Sequence, residues 1–194
     1  MIKIIESIIT DASKRFDGWV GRYKPWVGDN HTTERNLSLQ FATAFLRQFE
    51  GGLAFMEVPF KPEGKNSNSC HLDAYLSAEN FDILLECKNI YAPSQVAGIQ
   101  ADIDRMNADL VDQIHKRYAP GKAPDKTDAV VFAETWYPHV AEWWKGETPK
   151  RTWEAQKLPS NWSFKTKEVC KHITDENKTE TLHWLYGVSD EPIR

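Results

Sequence analysis

An apolar run at residues 81–90 is the feature that most limits how this chain can fold. The run is interrupted by Glu86 and Lys88, which are two positions apart. Side chains two positions apart on a β-strand point to the same face. Residues 71–76 predict a second strand, and the polar residues 77–80 predict the turn between the two strands. We therefore expect a β-hairpin that carries charged side chains within apolar surroundings.

The register of this hairpin decides where Asp73 lies. If the hairpin turns at Glu79 and Asn80, residues pair when their numbers sum to 159, and Asp73 lies opposite Glu86. A loop of two or four residues keeps this register, whereas a loop of three or five shifts it by one and moves Asp73 to the other face. Like charges placed opposite each other destabilise a sheet. A hard divalent cation such as Mg2+ between the carboxylates, close to Lys88, would remove this repulsion.

Hydrophobic periodicity predicts the remaining elements. Residues 2–16 have the spacing of an amphipathic helix, and residues 19–30 have the composition of a loop. Phe41, Phe45 and other apolar residues predict a second helix, and a Gly pair ends it. The elements expected after residue 30 are a helix over 33–50, a strand over 53–60, a polar loop over 61–69, the hairpin, one helix over 96–118, a buried strand over 129–133 and a late strand over 181–188.

This order predicts the α/β class, with a central mixed β-sheet flanked by helices. The strand at 129–133 follows a helix, so we expect it to run parallel to a neighbouring strand. A length of 194 residues predicts a single domain over 1–194. Within it we expect a core over about residues 30–135, preceded by the N-terminal helix. A tryptophan-rich elaboration covers about 136–194 and includes six of the eight tryptophans.

Asp73 followed by Glu86 and Lys88 on adjacent strands resembles the PD-(D/E)XK nuclease superfamily, which has a restriction-endonuclease-like fold. The resemblance implies that Asp73 and Glu86 bind Mg2+ or Mn2+ and that Lys88 assists the attacking water. It also implies a role for Glu34, which lies where many members carry a glutamate on the first core helix. Glu57 is an alternative to Glu34. The chain departs from the family pattern in two ways. Leu72 replaces the proline, and the helix after the motif lacks a Gln-x-x-x-Tyr sequence.

The function predicted from these residues is metal-dependent endonuclease hydrolysis of phosphodiester bonds in nucleic acid, with DNA favoured over RNA. Two other interpretations stay open. The charged residues can form an ordinary surface ion pair, which contributes little to stability. The chain can also be a catalytically silent domain of the same fold that binds nucleic acid or a protein partner. A homodimer is compatible with cleavage of both DNA strands, but no sequence feature requires one.

The composition bounds these interpretations. The net charge is −4, whereas proteins that bind DNA through phosphate contacts usually carry a basic excess. Residues 145–171 nevertheless carry seven basic against three acidic side chains. The nearby tryptophans, among them Trp143 and Trp153, can stack on bases, although a core role is the more common one. Three cysteines without close spacing predict reduced thiols in a cytoplasm. No apolar stretch approaches 18 residues, so we expect no transmembrane helix.

Overall fold

Two N-terminal helices form one layer of the structure. The computed structural model describes residues 1–20, 34–61, 70–119, 126–147, 153, 155–173 and 177–193, and it describes residues 19 and 20 by their backbone only. Helix α1 (Ile2–Val20) continues through residues 19 and 20, so the loop predicted to begin at residue 19 is wrong there; the rest of that loop lies outside the described residues. Helix α2 (Glu34–Gln48) confirms the second predicted helix. Gly51, with φ of 75°, lies just past its end.

The described strands form one mixed sheet, which confirms the predicted α/β class. Strands β1 (Leu53–Phe60), β2 (Cys70–Ser77) and β3 (Asp82–Asn89) are antiparallel. Strand β4 (Thr127–Thr135) runs parallel to β3, as expected, and is buried along its whole length. Strands β5 (Trp162–Ile173) and β6 (Thr179–Ser189) complete the order β1-β2-β3-β4-β6-β5. The predicted polar loop over 61–69 lies outside the described residues except for Lys61.

The single helix predicted over 96–118 is wrong, because the structure divides it into α3 (Val96–Arg105) and α4 (Ala108–Tyr118). The division lies at Asn107, whose side-chain oxygen accepts a hydrogen bond from the Leu110 N–H at 3.1 Å. Asn is a favoured N-cap residue, and it starts the second helix. The apolar periodicity continues across the break, so spacing alone does not reveal it.

The helices cover both faces of the sheet. Apolar residues of α1 and α2 pack on one face of the sheet and form one hydrophobic core with it. Residues of α3, α4 and α5 (Pro138–Trp144) form a second hydrophobic core with the opposite face. The tryptophan-rich region adds to this same sheet, because β6 pairs with β4 along its length. Helix α5 and strand β5 are elements that the sequence pattern did not reveal.

A buried polar cluster joins α4 to the sheet. Asp82 begins β3 and is 1% exposed. Its Oδ2 accepts a hydrogen bond from the Tyr75 hydroxyl at 2.5 Å and lies 2.8 Å from Nε2 of His115. Burial, together with the Asp82 carboxylate, raises the pKa of Tyr75 above its ordinary value. The phenol therefore keeps its proton and remains a donor to the buried carboxylate.

Removal of the Tyr75 hydroxyl is expected to destabilise the fold. In Tyr75→Phe the buried carboxylate of Asp82 loses a donor, and such a loss decreases the free energy of unfolding by about 1–3 kcal/mol. Urea denaturation of the variant measures this decrease. Tyr137→Phe is the control, because Tyr137 is 47% exposed. Equal stability of the two variants would show that the Tyr75 hydroxyl does not support Asp82.

Candidate functional site

The β2–β3 hairpin has the register that the sequence predicts. Ala74 pairs with Leu85, and Ser77 pairs with Asp82. The N–H of Ala78 donates to the carbonyl of Phe81 at 2.9 Å, so Glu79 and Asn80 form a two-residue turn. The prediction that paired residues sum to 159 is therefore confirmed. The next pair in this register would be Asp73 with Glu86, one position beyond the last pair that the strands form.

The regular pairing of β2 and β3 ends where Asp73 begins the site. The last pair is Ala74 with Leu85, and beyond it the carboxylate of Asp73 replaces a strand carbonyl as acceptor. Its Oδ2 accepts a hydrogen bond from the backbone N–H of Cys87 at 2.6 Å. Burial raises the pKa of Asp73, while the hydrogen bond from Cys87 lowers it in part. This contact holds the Asp73 carboxylate against β3.

Glu57 is on strand β1, next to Asp73 of strand β2, at an irregularity of the β1 backbone. Met56 pairs with Ala74 and Val58 with Leu72, but Glu57 has a φ of 53°. Non-glycine residues rarely adopt this left-handed conformation. The Oε1 of Glu57 lies 3.0 Å from Nε of Arg35, and both side chains are well exposed. Glu57 therefore has its own partner, although its charge also raises the pKa of Asp73.

Glu86 is the most deeply buried carboxyl group of the candidate site, at 2% exposure. Burial, followed by the charges of Asp102 and Asp73, raises its pKa to about 8. A side-chain hydrogen bond between the two carboxyl groups lowers the pKa of Asp73. The raised pKa favours the protonated form of Glu86 at neutral pH. A neutral Glu86 decreases the repulsion that the sequence predicts for the pair.

Lys88 is enclosed by carboxylates. Its Nζ lies 3.0 Å from Oδ2 of Asp102 and 3.8 Å from Oε2 of Glu34. Burial lowers the pKa of Lys88, but the charges of Asp102 and Glu34 outweigh burial and raise it above the ordinary value. The ammonium group is therefore protonated across the neutral range and acts as a fixed positive charge.

Glu34 reaches the same site from the first turn of α2. Its Oε1 accepts a hydrogen bond from the backbone N–H of Asn89 at 3.3 Å, just beyond Lys88. The structure thus brings the four residues predicted from the sequence to one end of β3: Glu34, Asp73, Glu86 and Lys88. The helix N-terminus favours a carboxylate by itself, yet here the contact with Lys88 also joins Glu34 to the site.

Two residues of α3 belong to this site and were missed by the sequence analysis. Asp102 is 3% exposed and contacts both Lys88 and Arg105. Arg105 lies 3.5 Å from Oε1 of Glu86. A signal was present, because Asp102 falls between Ile99 and Met106 on the apolar face of the helix. A charged residue on such a face requires a buried partner.

The site contains more acidic than basic groups. Glu34, Asp73, Glu86 and Asp102 supply four carboxyl groups, whereas Lys88 and Arg105 supply two positive charges. Full ionisation would therefore leave two negative charges without compensation. Among the residues that the structure describes, no three His, Cys, Asp or Glu side chains converge closely enough to form a complete metal-ligand set.

The tryptophans of the C-terminal region form part of the core. Trp143, Trp144 and Trp153 are each at most 5% exposed. The indole N–H groups of the first two donate to the carbonyls of Gln156 and Tyr186, respectively. These rings therefore do not present faces for base stacking. In the basic segment 145–171, Lys145 and Lys165 are paired with Glu147 and Glu6, while residues 150 and 151 lie outside the described part of the chain.

Comparisons with protein-family models, with curated proteins and with solved structures find no match to this chain. The three cysteines are free thiols, of which Cys87 and Cys170 are buried. Among the described helices, none has the length and apolar character needed to cross a membrane.

The raised pKa of Glu86 predicts how the stability of the protein depends on pH. The folded value of about 8 exceeds the ordinary value of 4.5. The contribution of Glu86 to the free energy of unfolding is complete below its ordinary pKa and is lost as pH rises through its pKa in the folded protein. Glu86→Gln cannot ionise, so its stability relative to wild type should increase with pH, by on the order of a few kcal/mol at the alkaline end.

Urea denaturation in the presence of a chelator, between about pH 5 and pH 9, measures this difference. Glu180→Gln is the control, since Glu180 is exposed on β6. The expected result is a difference that grows with pH for position 86 and stays constant for position 180. A constant difference at both positions would contradict the raised pKa of Glu86.

Proposed function

We propose that this protein is a metal-dependent nuclease that hydrolyses phosphodiester bonds of nucleic acid, with DNA as the first substrate to test. The observation that carries this proposal is the excess of two carboxyl groups over cations at the end of β3. One divalent cation that replaces the proton on Glu86 would balance the two negative charges of the fully ionised site. The same carboxyl groups supply the oxygen ligands that such cations prefer.

The arrangement of elements around the site supports a restriction-endonuclease-like core as part of this proposal. Helix α2 is followed by the antiparallel strands β1, β2 and β3, then by α3 and α4, and then by β4 parallel to β3. This is the order that the resemblance to the PD-(D/E)XK superfamily implies, with its single helix divided in two. Asp73, Glu86 and Lys88 lie on the two strands that carry the motif in that family.

The residues present are suited to Mg2+ or Mn2+. Mg2+ commonly binds through one or two carboxylates and keeps several of its waters, so a site without three converging ligands does not conflict with it. Asp73 and Glu86 are the residues proposed to hold the cation, since they lie on neighbouring strands and each affects the pKa of the other. Glu34 contributes through Lys88 and the backbone of Asn89. When bound, the cation would supply Lewis-acid polarisation of a phosphoryl oxygen and would lower the pKa of a bound water.

Lys88 is proposed to orient the attacking water and to stabilise negative charge that develops on the phosphate. Its raised pKa supports this role, because a lysine held in its charged form is a donor rather than a base. Asp102 and Glu34 fix the ammonium group from two sides. They limit the positions that Lys88 can take and so keep it pre-organised for the reaction.

A second candidate function is supported by the same charges. In the metal-free protein the proton on Glu86 and the contacts of Asp102 with two cations already lower the repulsion within the site. A catalytically silent domain that binds nucleic acid or a protein partner needs no metal ion to reduce the repulsion between these carboxyl groups further. The two functions differ in one measurable property, because only the nuclease requires a divalent cation.

Asp73→Asn is expected to abolish cleavage and to leave the metal-free fold at least as stable. The amide oxygen can still accept the Cys87 N–H, while one charge of the carboxyl pair is removed. Cleavage of plasmid DNA, single-stranded DNA and RNA with Mg2+ or Mn2+ should fall by roughly 100-fold or more, because the cation loses a ligand. Thermal melts with and without the cation measure stability in parallel. Bound cation should raise the melting temperature of wild type by mass action.

Asp128→Asn is the matched control. Asp128 is a buried aspartate of β4 that is paired with Lys126 and is distant in register from Lys88. This variant should keep metal-dependent cleavage. Cleavage that survives in Asp73→Asn would exclude the assigned role of Asp73. A wild-type protein that shows neither cleavage nor a cation-dependent melting shift would favour the silent domain.

A further inference from the structure

Arg105 is the group of the candidate site for which the nuclease mechanism provides no role. It ends helix α3, and its guanidinium contacts Asp102 and lies 3.5 Å from Oε1 of Glu86. The side chain is 32% exposed, whereas the carboxylates it contacts are 5% exposed or less. Arg105 therefore covers the buried carboxyl groups and faces solvent at the same time.

The contact of Arg105 with Glu86 is the weaker of its two ion pairs. The 3.5 Å separation is long for a charge-assisted hydrogen bond, which is usually below 3 Å. A divalent cation carries twice the charge and would replace Arg105 at Glu86.

The guanidinium also has unused hydrogen-bonding capacity. Its Nε is buried and has no hydrogen-bond partner among the described residues. A guanidinium presents five donors in a planar fork that matches the oxygens of a phosphate. The same Nη2 atom contacts both Asp102 and Glu86, and the side chain is 32% exposed, so the guanidinium can keep its contact with Asp102 while it turns from Glu86 towards an incoming anion.

We propose that Arg105 occupies the cation position at Glu86 while the metal is absent and contacts the substrate phosphodiester once a divalent cation has taken that position. This inference rests on the proposed nuclease function. Arg105 thereby couples metal binding to substrate binding, because its release from Glu86 is what provides the phosphate contact. The alternative is a purely structural role, called here a structural clamp, in which Arg105 keeps its contacts with Asp102 on α3 and Glu86 on β3 whether or not a cation is bound.

The two roles differ in how metal affinity responds to mutation. Removal of the positive charge in Arg105→Gln removes the competitor for Glu86, so Mn2+ should bind several-fold more tightly. The same variant loses the phosphate contact, so kcat/KM for a fluorescent duplex DNA oligonucleotide should fall by about tenfold or more, the size expected for one lost hydrogen bond to a charged group. A structural clamp predicts that Mn2+ affinity and cleavage fall together.

Arg105→Lys separates charge from shape. It keeps a competing cation, so Mn2+ affinity should equal that of wild type, but it lacks the planar fork, so cleavage should remain reduced. Arg47→Gln is the matched control, because Arg47 also lies in the last turn of a helix and pairs with an aspartate, Asp11, at a similar exposure of 29%. This control should change neither quantity.

The experiment measures free Mn2+ by electron paramagnetic resonance, cleavage kinetics with Mg2+, and the melting temperature of each variant. Tighter Mn2+ binding with slower cleavage in Arg105→Gln supports the proposal. If Mn2+ affinity and cleavage by Arg105→Gln are both unchanged, or if both decrease, the proposed role of Arg105 is wrong. Cleavage by the wild type would then still support the nuclease function. If Arg105→Gln does not fold, full cleavage by Arg105→Lys would overturn it. A wild type that neither binds Mn2+ nor cleaves would exclude the nuclease function and this inference together.

Discussion

The interaction between Asp73 and Glu86 determines how the surrounding structure is built. The two residues lie on neighbouring strands just beyond the last regular pair, and Glu86 is almost completely removed from solvent. Such an arrangement destabilises a sheet unless a proton or a cation compensates for it. Both kinds of compensation are present, since the pKa of Glu86 is raised to about 8, which favours a proton at neutral pH, and Arg105 lies 3.5 Å from its Oε1.

Each element around the pair contributes to this compensation. Helix α3 supplies Arg105 for Glu86 and Asp102 for Lys88. Helix α2 brings Glu34 to Lys88 and to the end of β3. The interior of the sheet then keeps these groups in place, because strands β3 and β4 are almost entirely buried and cannot shift without disrupting both cores. The excess of acidic groups that remains is the physical basis of the proposed metal site.

Much of this could be predicted from the sequence, because local rules determined it. The apolar alternation and the two-residue turn at Glu79 and Asn80 fixed the hairpin register and therefore the positions of Asp73, Glu86 and Lys88. The N-terminal helices followed from periodicity. The division of the helix at Asn107 did not, because the apolar pattern continues through it and only the capping hydrogen bond marks the break.

The rest of the site depends on tertiary contacts that spacing does not encode. The position of Asp102 on an apolar helix face indicates that it needs a buried partner, but that this partner is Lys88, and that Arg105 lies beside Glu86, is visible only when α3 packs on the sheet. The buried cluster of Tyr75, Asp82 and His115 is of the same kind, since its members come from three elements. Strand β5 was missed because its exposed face alternates irregularly around the bulge between Glu168 and Cys170.

The most direct test of this account is a carbon-13 NMR titration of the glutamate carboxyl groups, with the Glu86 resonance assigned by its loss in Glu86→Gln. The account predicts that Glu86 of the metal-free protein titrates near 8, and that saturating Mg2+ lowers the midpoint because the cation replaces the proton. A midpoint near the ordinary value of 4.5, unchanged by Mg2+, would contradict it.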